Sequence, residues 1–175
     1  MTSRAGRKHP DLTLEQVREA FTYDADSGVL RWRWRQDCGA PWNAQWAGKE
    51  VSYVSNGYKM FKLNGALHRA HRAIWLLMTG ALPETDIDHA DADKQNNAWA
   101  NLRLATRSQN EANKGRSRAN TTGRKGVYVL KHRYLAKIKV NGVSRSLGTA
   151  STVEEAAVLY EQAAKKYFGA YARAE

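Results

Sequence analysis

The sequence predicts an α+β protein. A strand-rich N-terminal region leads into a strand–strand–helix core, and a small three-stranded antiparallel sheet packed on one helix follows. Alternating apolar and polar residues predict strands, most clearly in Val29–Arg35. Asn-Gly pairs at 56–57, 64–65 and 141–142 predict tight turns, because both turn positions favour positive φ. One long amphipathic pattern, Thr152–Phe168, predicts the packed helix.

The net charge limits the classes of partner. The 175 residues carry a formal charge of +11, which favours nucleic acid as the partner, then an acidic membrane surface, over a merely soluble basic protein. The single Cys38 excludes an intramolecular disulfide and any zinc site built on two or more cysteines. The longest apolar run, Ala73–Met78, is too short to span a bilayer, and the polar N-terminus does not resemble a signal peptide. We therefore expect a cytoplasmic protein that faces nucleic acid and no membrane.

The N-terminal region is predicted to be rich in strands. Residues 1–11 are basic and without pattern, so we expect a flexible arm, and Thr13 opens a short helix as a capping box with Gln16. In Val29–Arg35 the apolar side, including both tryptophans, is expected to be buried. The arginine side either contacts phosphate or is solvated, and the sequence leaves both open. Residues 36–50 are predicted to be loop.

Two strands and a helix are predicted next. The strands lie near Val51–Val54 and Tyr58–Leu63, and the helix runs from about Arg69 to Met78 and ends at Gly80. We expect this helix to bury Ile74, Trp75 and Met78. His68 and His71 at its start are expected to be structural hydrogen-bonding residues rather than catalysts.

The central stretch, Ile87–Asn110, combines acids, a histidine and asparagines. We predict strand, polar loop, strand and helix, an order that can bring Asp88, His89 and Asn110 together. A protein that only holds DNA gains little from acids beside its most cationic segment. Hydrolysis of DNA, in contrast, requires carboxylate oxygen for a divalent metal and an imidazole to activate water.

The last fifty residues are predicted to form a separate unit. Between Leu102 and Ser146, 12 Lys or Arg residues stand against one acid, Glu111, which favours contact with phosphate. Strands near Gly126–Leu130, Tyr134–Val140 and Ser144–Leu147 precede the helix. Its predicted buried stripe contains seven residues: Val153, Ala156, Ala157, Tyr160, Ala164, Tyr167 and Phe168. On the middle strand, Tyr134, Ala136 and Ile138 should face this helix, with Lys137 and Lys139 on the open face.

Three blocks of the sequence resemble known families. Residues 71–115, with the ordered motifs Asp88-His89, Asn101-Leu102-Arg103 and Asn110, resemble the ββα-metal core of HNH endonucleases of the phage homing type. Residues 123–169 resemble an AP2 DNA-binding domain, through Gly-Val, Ala-x-Ile, Leu-Gly and Glu-Ala-Ala landmarks. The Asp-x-x-x-Gly-x-Leu-x-Trp stretch from Asp24 resembles the lead-in of such nucleases. The implied domains are an arm (1–11), a nuclease domain (12–114), a basic linker (115–122) and an AP2-like DNA-binding domain (123–175).

The resemblance implies a role for each matching residue. Asp88 and Asn110 would be the ligands of one Mg²⁺ or Mn²⁺ ion per active site, and His89 would be the general base. Asn101 would brace the loop and orient the histidine, and Asn97 would pin the same loop. The implied products carry 5′-phosphate and 3′-hydroxyl ends. The expected DNA contacts are Arg103, Arg107, Lys114, Arg116, Arg124, Lys125, Tyr128, Lys137, Lys139, Ser144 and Ser146.

The sequence departs from these families at a few positions. Asn110 stands where the archetype has His, which favours Mg²⁺ over zinc, and Asn96 stands where relatives often carry Asp. The Trp and Arg that plant AP2 domains use to read bases are largely missing, so sequence specificity does not transfer. A non-catalytic DNA-binding protein or transcriptional regulator, and more weakly an RNA target, stay as alternatives. We expect double-stranded DNA as partner and a monomer, with a dimer and double-strand cutting as the alternative to nicking.

Overall fold

The computed structural model describes residues 12–173 and divides into two compact units, with the division between Arg103 and Leu104. The predicted N-terminal arm lies outside the described residues. The division falls ahead of the predicted linker at residues 115–122, because the helix before that linker packs within the second unit. The domains that we predicted as functional blocks stay a prediction.

The first unit begins with a helix and a hairpin. Helix α1 (Leu14–Ala20) carries the predicted capping box of Thr13 and Gln16. Strand β1 (Phe21–Asp24) follows at once and pairs antiparallel with β2 (Val29–Trp32). The prediction missed β1, and it was wrong to extend the second strand through Trp34, whose side chain is 66% exposed.

Helix α2 (Ala40–Trp46) occupies the region predicted to be loop. Its N-terminus has no side-chain cap, but the buried Asn43 ties it to the segment before it. The Asn43 side chain accepts a hydrogen bond from the Arg35 main-chain N–H at 2.8 Å and donates to the Arg35 carbonyl oxygen at 2.8 Å. This helix is stabilised by a tertiary contact, so the local pattern did not reveal it.

A three-stranded sheet and a helix follow in the first unit. Strands β3 (Val54–Ser55), β4 (Tyr58–Leu63) and β5 (Ala66–Arg69) lie in that order and are antiparallel. Both predicted Asn-Gly turns are confirmed by positive φ at all four residues. Helix α3 (Ala70–Thr79) buries Ile74 and ends at Gly80 as predicted, whereas Met78 is 42% exposed and Trp75 is only partly buried.

Strands β6 (Asp86–His89) and β7 (Leu102–Ala105) form a two-stranded sheet, with a short 3-10 helix at Trp99–Asn101 in the connecting loop. The predicted pair of strands around a polar loop is confirmed. The core of the first unit is one apolar cluster that contains Val17, Phe21, Ile74, Ile87 and Leu102 among others. Because Ile87 belongs to that cluster, the core fixes the strand that carries the two residues after it.

The second unit starts with helix α4 (Arg107–Asn113), whose Thr106 cap forms a capping box with Gln109. Strands β8 (Val127–Leu130), β9 (Arg133–Val140) and β10 (Val143–Ala150) form an antiparallel sheet in the order β10-β9-β8. Helix α5 (Val153–Phe168) packs on one face of the sheet, and a 3-10 turn, Gly169–Tyr171, follows it. The predicted sheet of three strands on one helix is therefore confirmed.

The burial in this unit agrees with most of the predicted helix stripe. Ala156, Ala157, Tyr160, Ala164 and Phe168 are buried, but Tyr167 is 40% exposed. On β9 the alternation of strand side chains places Ala136 and Ile138 in the core and leaves Lys137 and Lys139 exposed. Ala112 of α4 packs with Ile138 and Tyr160, which is why α4 belongs to this unit.

No helix within residues 12–173 is long and apolar enough to cross a membrane.

Candidate active site

Strand β6 ends in the Asp88-His89 pair, and both side chains are buried, at 5% and 4% exposure. A charged carboxylate and an imidazole are costly to bury unless each has polar partners. The partners of both side chains in the first unit are therefore the basis of the candidate site.

Asp88 is paired with an arginine from the neighbouring strand. Arg103 on β7 donates from Nε to Asp88 Oδ2 at 2.9 Å, and its Nη2 lies 2.8 Å from the same oxygen. The structure thus places Arg103 against the buried carboxylate, and its predicted contact with DNA stays a prediction. The ion pair fixes one carboxylate oxygen and compensates the cost of burying the charge.

His89 is held by an asparagine of the connecting loop. His89 Nε2 lies 3.1 Å from Oδ1 of the buried Asn97. An amide oxygen only accepts hydrogen bonds, so Nε2 donates in this contact, and an uncharged ring then has its lone pair at Nδ1. Asn97 thus fixes the tautomer of the histidine as well as the orientation of its ring.

Asn97 is itself anchored to the N-terminal hairpin. Its carbonyl oxygen accepts a 2.8 Å hydrogen bond from the Tyr23 hydroxyl, and Trp99 N–H donates to the Ala25 carbonyl oxygen at 2.9 Å. Burial, with the nearby Asp24 and Asp26 carboxylates, raises the pKa of Tyr23 to about 12, which keeps the hydroxyl a donor at neutral pH. Gly28 (φ +71°) packs on the same loop, and a Cβ there would lie 2.2 Å from Ala98 N. No residue other than glycine fits this contact.

A network of side chains closes the loop between the two strands. Asn101 donates from Nδ2 to Asp91 Oδ1 at 2.9 Å and to the Asn96 carbonyl oxygen at 2.8 Å. Its Oδ1 accepts from the Asp91 N–H at 3.0 Å, and Asn96 Nδ2 donates to Asp91 Oδ2 at 2.7 Å. We had singled out Asn97 and Asn101 in this loop, whereas the role of Asp91 as its hub was missed.

Two further rings contact His89, and the sequence prediction did not place them there. The His71 ring centroid lies 5.2 Å from that of His89, at an interplanar angle of 83°. The Tyr58 ring lies 5.2 Å from His71 and 6.0 Å from His89. We call Tyr58, His71 and His89 the ring cluster. Helical spacing could have predicted that His71 lies on the buried face of α3, because it precedes the buried Ile74 by three positions and so shares its face.

His71 is buried and stays uncharged. Burial, with the neighbouring His89, Arg69 and Arg72, lowers the pKa of His71 from 6.5 to about 3. A neutral imidazole therefore packs on the edge or face of the candidate base at all pH values near neutrality. We had expected a structural role for His71, and the ring contact extends it to the site.

The ligand chemistry at the site suits a hard divalent cation. Asp88 supplies carboxylate oxygen, which Mg²⁺ and Mn²⁺ prefer. Within residues 12–173, no group of three or more His, Cys, Asp or Glu side chains could by itself hold a metal ion. Asn110, the second predicted ligand, lies half-buried in the middle of α4 in the second unit. Its approach to Asp88 stays a prediction.

The second unit presents most of the predicted DNA contacts on its surface. On the sheet face opposite α5, Ser144 is the partner of Lys139 and Ser146 the partner of Lys137, and Tyr128 on β8 is 53% exposed. Elsewhere, Arg107, Lys114, Arg116 and Arg124 are exposed, and Lys114 forms an ion pair with Glu111. The strand register thus produces a polar, basic row on the open face.

Lys125 differs from these exposed residues. Its Nζ donates to the carbonyl oxygen atoms of Ala112 and Lys114 at the end of α4. Burial, with Arg173 nearby, lowers the pKa of Lys125 from 10.5 to about 8. The structure therefore uses this lysine to cap a helix C-terminus, rather than leaving it on the open face.

Comparison with known proteins places this geometry in a family. Residues 68–112 match a family described as HNH endonuclease. An uncharacterized HNH endonuclease of Acanthamoeba polyphaga mimivirus is 37% identical over 105 residues, which cover 58% of this chain and 54% of that protein. Protein 3.8 of Escherichia phage T7 is 30% identical over 108 residues, which cover 60% of this chain and 88% of that protein. No solved structure matches the chain.

The chain thus spans about half the length of the mimivirus relative and most of the phage protein. It belongs to the same family as protein 3.8 of Escherichia phage T7, and it contains an HNH endonuclease domain at residues 68–112.

Proposed function

From this family membership, we propose that the chain is a metal-dependent DNA endonuclease of the homing type. The observation that carries the proposal is the buried His89, held at Nε2 by Asn97 next to the buried Asp88 carboxylate. A protein that only bound DNA would have no use for a buried imidazole of fixed tautomer beside a buried acid. The HNH match covers both residues.

His89 acts as the general base. Because Nε2 carries the proton toward Asn97, Nδ1 takes the proton from the water that attacks phosphorus. The loop network of Asp91, Asn96 and Asn101 keeps Asn97 in place, so these residues orient the base without contact with the reacting phosphate. Hydrolysis then leaves 5′-phosphate and 3′-hydroxyl ends.

Asp88 would hold the metal ion, with Asn110 as the proposed second ligand, and Mg²⁺ or Mn²⁺ is the matching hard cation. When bound, the ion supplies positive charge that stabilises the phosphate and the leaving oxygen. Arg103 balances the Asp88 charge on the protein side and holds the carboxylate in one orientation. Removal of Arg103 should therefore impair the site itself.

The second unit binds double-stranded DNA through its basic row, as an AP2-like module. The support for this is that Lys137 and Lys139 are exposed on the sheet face opposite α5. Phosphate contacts by lysines position a protein on DNA without reading its sequence. With one candidate site per chain, a monomer would nick DNA. We propose a cytoplasmic location, which would be the cytoplasm or nucleoid of the host if the protein is phage-encoded.

The first test is cleavage of supercoiled plasmid with Mg²⁺ or EDTA, for the wild type, His89→Ala and His89→Gln. We expect metal-dependent cutting, with the rate reduced by about 10²–10⁴-fold in both variants, the range that a positioned base contributes. The ratio of open-circle to linear product reports nicking or double-strand cleavage.

The matched control is His132→Ala, which changes an exposed histidine between β8 and β9 in the second unit. It should cut like the wild type. Undiminished cutting by both His89 variants would contradict the mechanism. DNA binding without cutting in Mg²⁺ and Mn²⁺ would favour the non-catalytic DNA-binding alternative.

A further inference from the structure

Two cationic side chains converge on the ring of Tyr58. The Arg69 guanidinium carbon lies 4.7 Å from the ring centroid, and Lys94 Nζ lies 4.8 Å from it. Tyr58 opens β4, Arg69 ends β5 and Lys94 belongs to the loop after β6, so three separate segments build the arrangement. It is a product of the tertiary fold and not of one local motif.

The backbone beside Tyr58 is shaped to admit the lysine. Gly57 has φ +83°, and a Cβ at that position would lie 3.3 Å from Lys94 Cδ. The lysine stem therefore passes close to the turn before it reaches the ring. The missing side chain at Gly57 leaves room for this path.

The same ring adjoins the candidate base. Tyr58 belongs to the ring cluster, 6.0 Å from His89 between ring centroids. The charges of Arg69 and Lys94 thus contact a ring that itself contacts His89, the residue to which we assign proton transfer. Both side chains belong to residues that are exposed to solvent.

In the part of the chain that the structure describes, no acid is paired with these two cations. Within residues 12–173, neither Arg69 nor Lys94 forms an ion pair with a carboxylate. The acids of the same loop are engaged with loop groups: Asp91 with Asn96 and Asn101, and Asp93 with the Gln95 N–H at 2.9 Å. A cation–π contact at an exposed site contributes only about 0.5–1 kcal/mol. Two like charges held at one ring are therefore well placed to bind an anion.

We propose that Arg69 and Lys94, positioned by Tyr58, form a phosphate-binding site for the DNA backbone next to the phosphate that is cut. The site rests on the proposed function for the identity of its ligand. It adds positioning residues in the first unit to the DNA contacts expected in the second. The ligand is a backbone phosphodiester, because two exposed cations beside a base of fixed tautomer match a charged strand and offer no base-reading geometry.

The test measures binding without cleavage. Fluorescence anisotropy of a labelled mixed-sequence duplex is recorded in EDTA at several salt concentrations, for the wild type, Arg69→Gln, Lys94→Gln and the double variant. Each phosphate contact contributes about 0.9 to the slope of log affinity against log salt. We expect the slope to fall by about 1 in each single variant and by about 2 in the double variant.

The controls are Arg18→Gln on α1 and Lys62→Gln on β4, which remove exposed charges of the same unit away from the ring cluster. These should retain at least most of the wild-type slope. Tyr58→Phe keeps the ring and should retain the slope, whereas Tyr58→Leu should lower it. Thermal unfolding shows whether each variant is folded, and the Gln variants of exposed residues keep the test valid if Tyr58→Leu does not fold.

An unchanged slope in the double variant would overturn the proposal, and so would equal losses in the controls, which would report net charge alone. This outcome is separable from the proposed function. A lowered slope with no cutting by the wild type would leave the phosphate site standing and remove the nuclease. Cutting by the wild type with unchanged slopes in the variants would support the nuclease and overturn the phosphate site.

Discussion

The loop between β6 and β7 and the open face of the β8–β10 sheet differ in how their polar side chains are used. In the loop, the polar side chains form hydrogen bonds within the protein, as seen for Asp91, Asn96, Asn97 and Asn101. On the open face, Lys137 and Lys139 are exposed and the register alone aligns them. Chemistry at one atom requires fixed geometry, whereas attraction of a polyanion requires only charge on an accessible surface. The two regions should therefore fail in different ways when they are altered.

The largest effects should come from the glycines that fix each unit. Gly28→Ala places a Cβ 2.2 Å from Ala98 N, and Gly126→Ala places one 2.0 Å from the Tyr160 ring, both at positive φ. We expect each to destabilise its unit by about 3 kcal/mol or more, from backbone strain plus overlap. Gly28→Ala should reduce cutting while the second unit still binds DNA, and Gly126→Ala should reduce DNA binding. Calorimetry measures the stability, plasmid cleavage measures the cutting, and fluorescence anisotropy measures the DNA binding.

The controls for these variants are Gly65→Ala and Gly142→Ala. Both glycines have positive φ, but nothing lies within 4 Å of the added Cβ. We expect each to cost about 1 kcal/mol, the strain alone. Equal losses of melting temperature and cutting in Gly28→Ala and Gly65→Ala would contradict the prediction. They would show that the close contact of Gly28 with the loop is not specifically required.

Acid should affect the first unit through His71. Its pKa of about 3 in the folded state lies below 6.5, so the unfolded chain binds more protons between those values. This stability is complete above pH 6.5 and is lost as the pH falls toward 3, by at most about 1.4 kcal/mol per pH unit. In His71→Asn, urea unfolding between pH 4 and pH 6.5 should show a shallower pH dependence. His132→Asn, at an exposed site, should keep the wild-type slope.

The smallest effect should be on the open face. Lys137→Gln with Lys139→Gln should weaken binding to all duplex sequences about equally and lower the salt slope by about 2, without loss of fold. The matched control is Lys165→Gln with Lys166→Gln, at the exposed end of α5 on the other side of the sheet. Equal slopes for the two double variants would show that the open face has no privileged contact with DNA.

The sequence predicted elements where a local signal dictates structure. The capping boxes at Thr13 and Thr152, the Asn-Gly turns and the alternation on β9 are such signals, and all are present. Helix α2 was missed because hydrogen bonds of Asn43 to the preceding segment at Arg35 stabilise it. Strand β1 was missed because α1 ends abruptly and the strand begins at once. The apolar alternation past Trp32 was misleading, because the chain leaves the sheet there and Trp34 is exposed.

The same distinction holds at the site. The Asp88-His89 pair is readable from a motif, and Asn97 and Asn101 follow from the same stretch. Tyr58, Arg69 and His71 are separated from His89 in sequence, and only the packing of β4, β5 and α3 brings rings and cations to it. No local pattern encodes that convergence.

The contact between the hairpin and the site loop has a consequence for the order of folding. The Tyr23 hydroxyl bonds the Asn97 carbonyl across 74 residues of sequence, and Gly28 packs on the same peptide. Closing so long a loop is slow compared with forming local turns and helices, because its entropy must be lost before any contact compensates for it. The base should therefore acquire its fixed tautomer only late, after the hairpin has docked. The proposed cleavage should therefore depend on complete folding of the first unit.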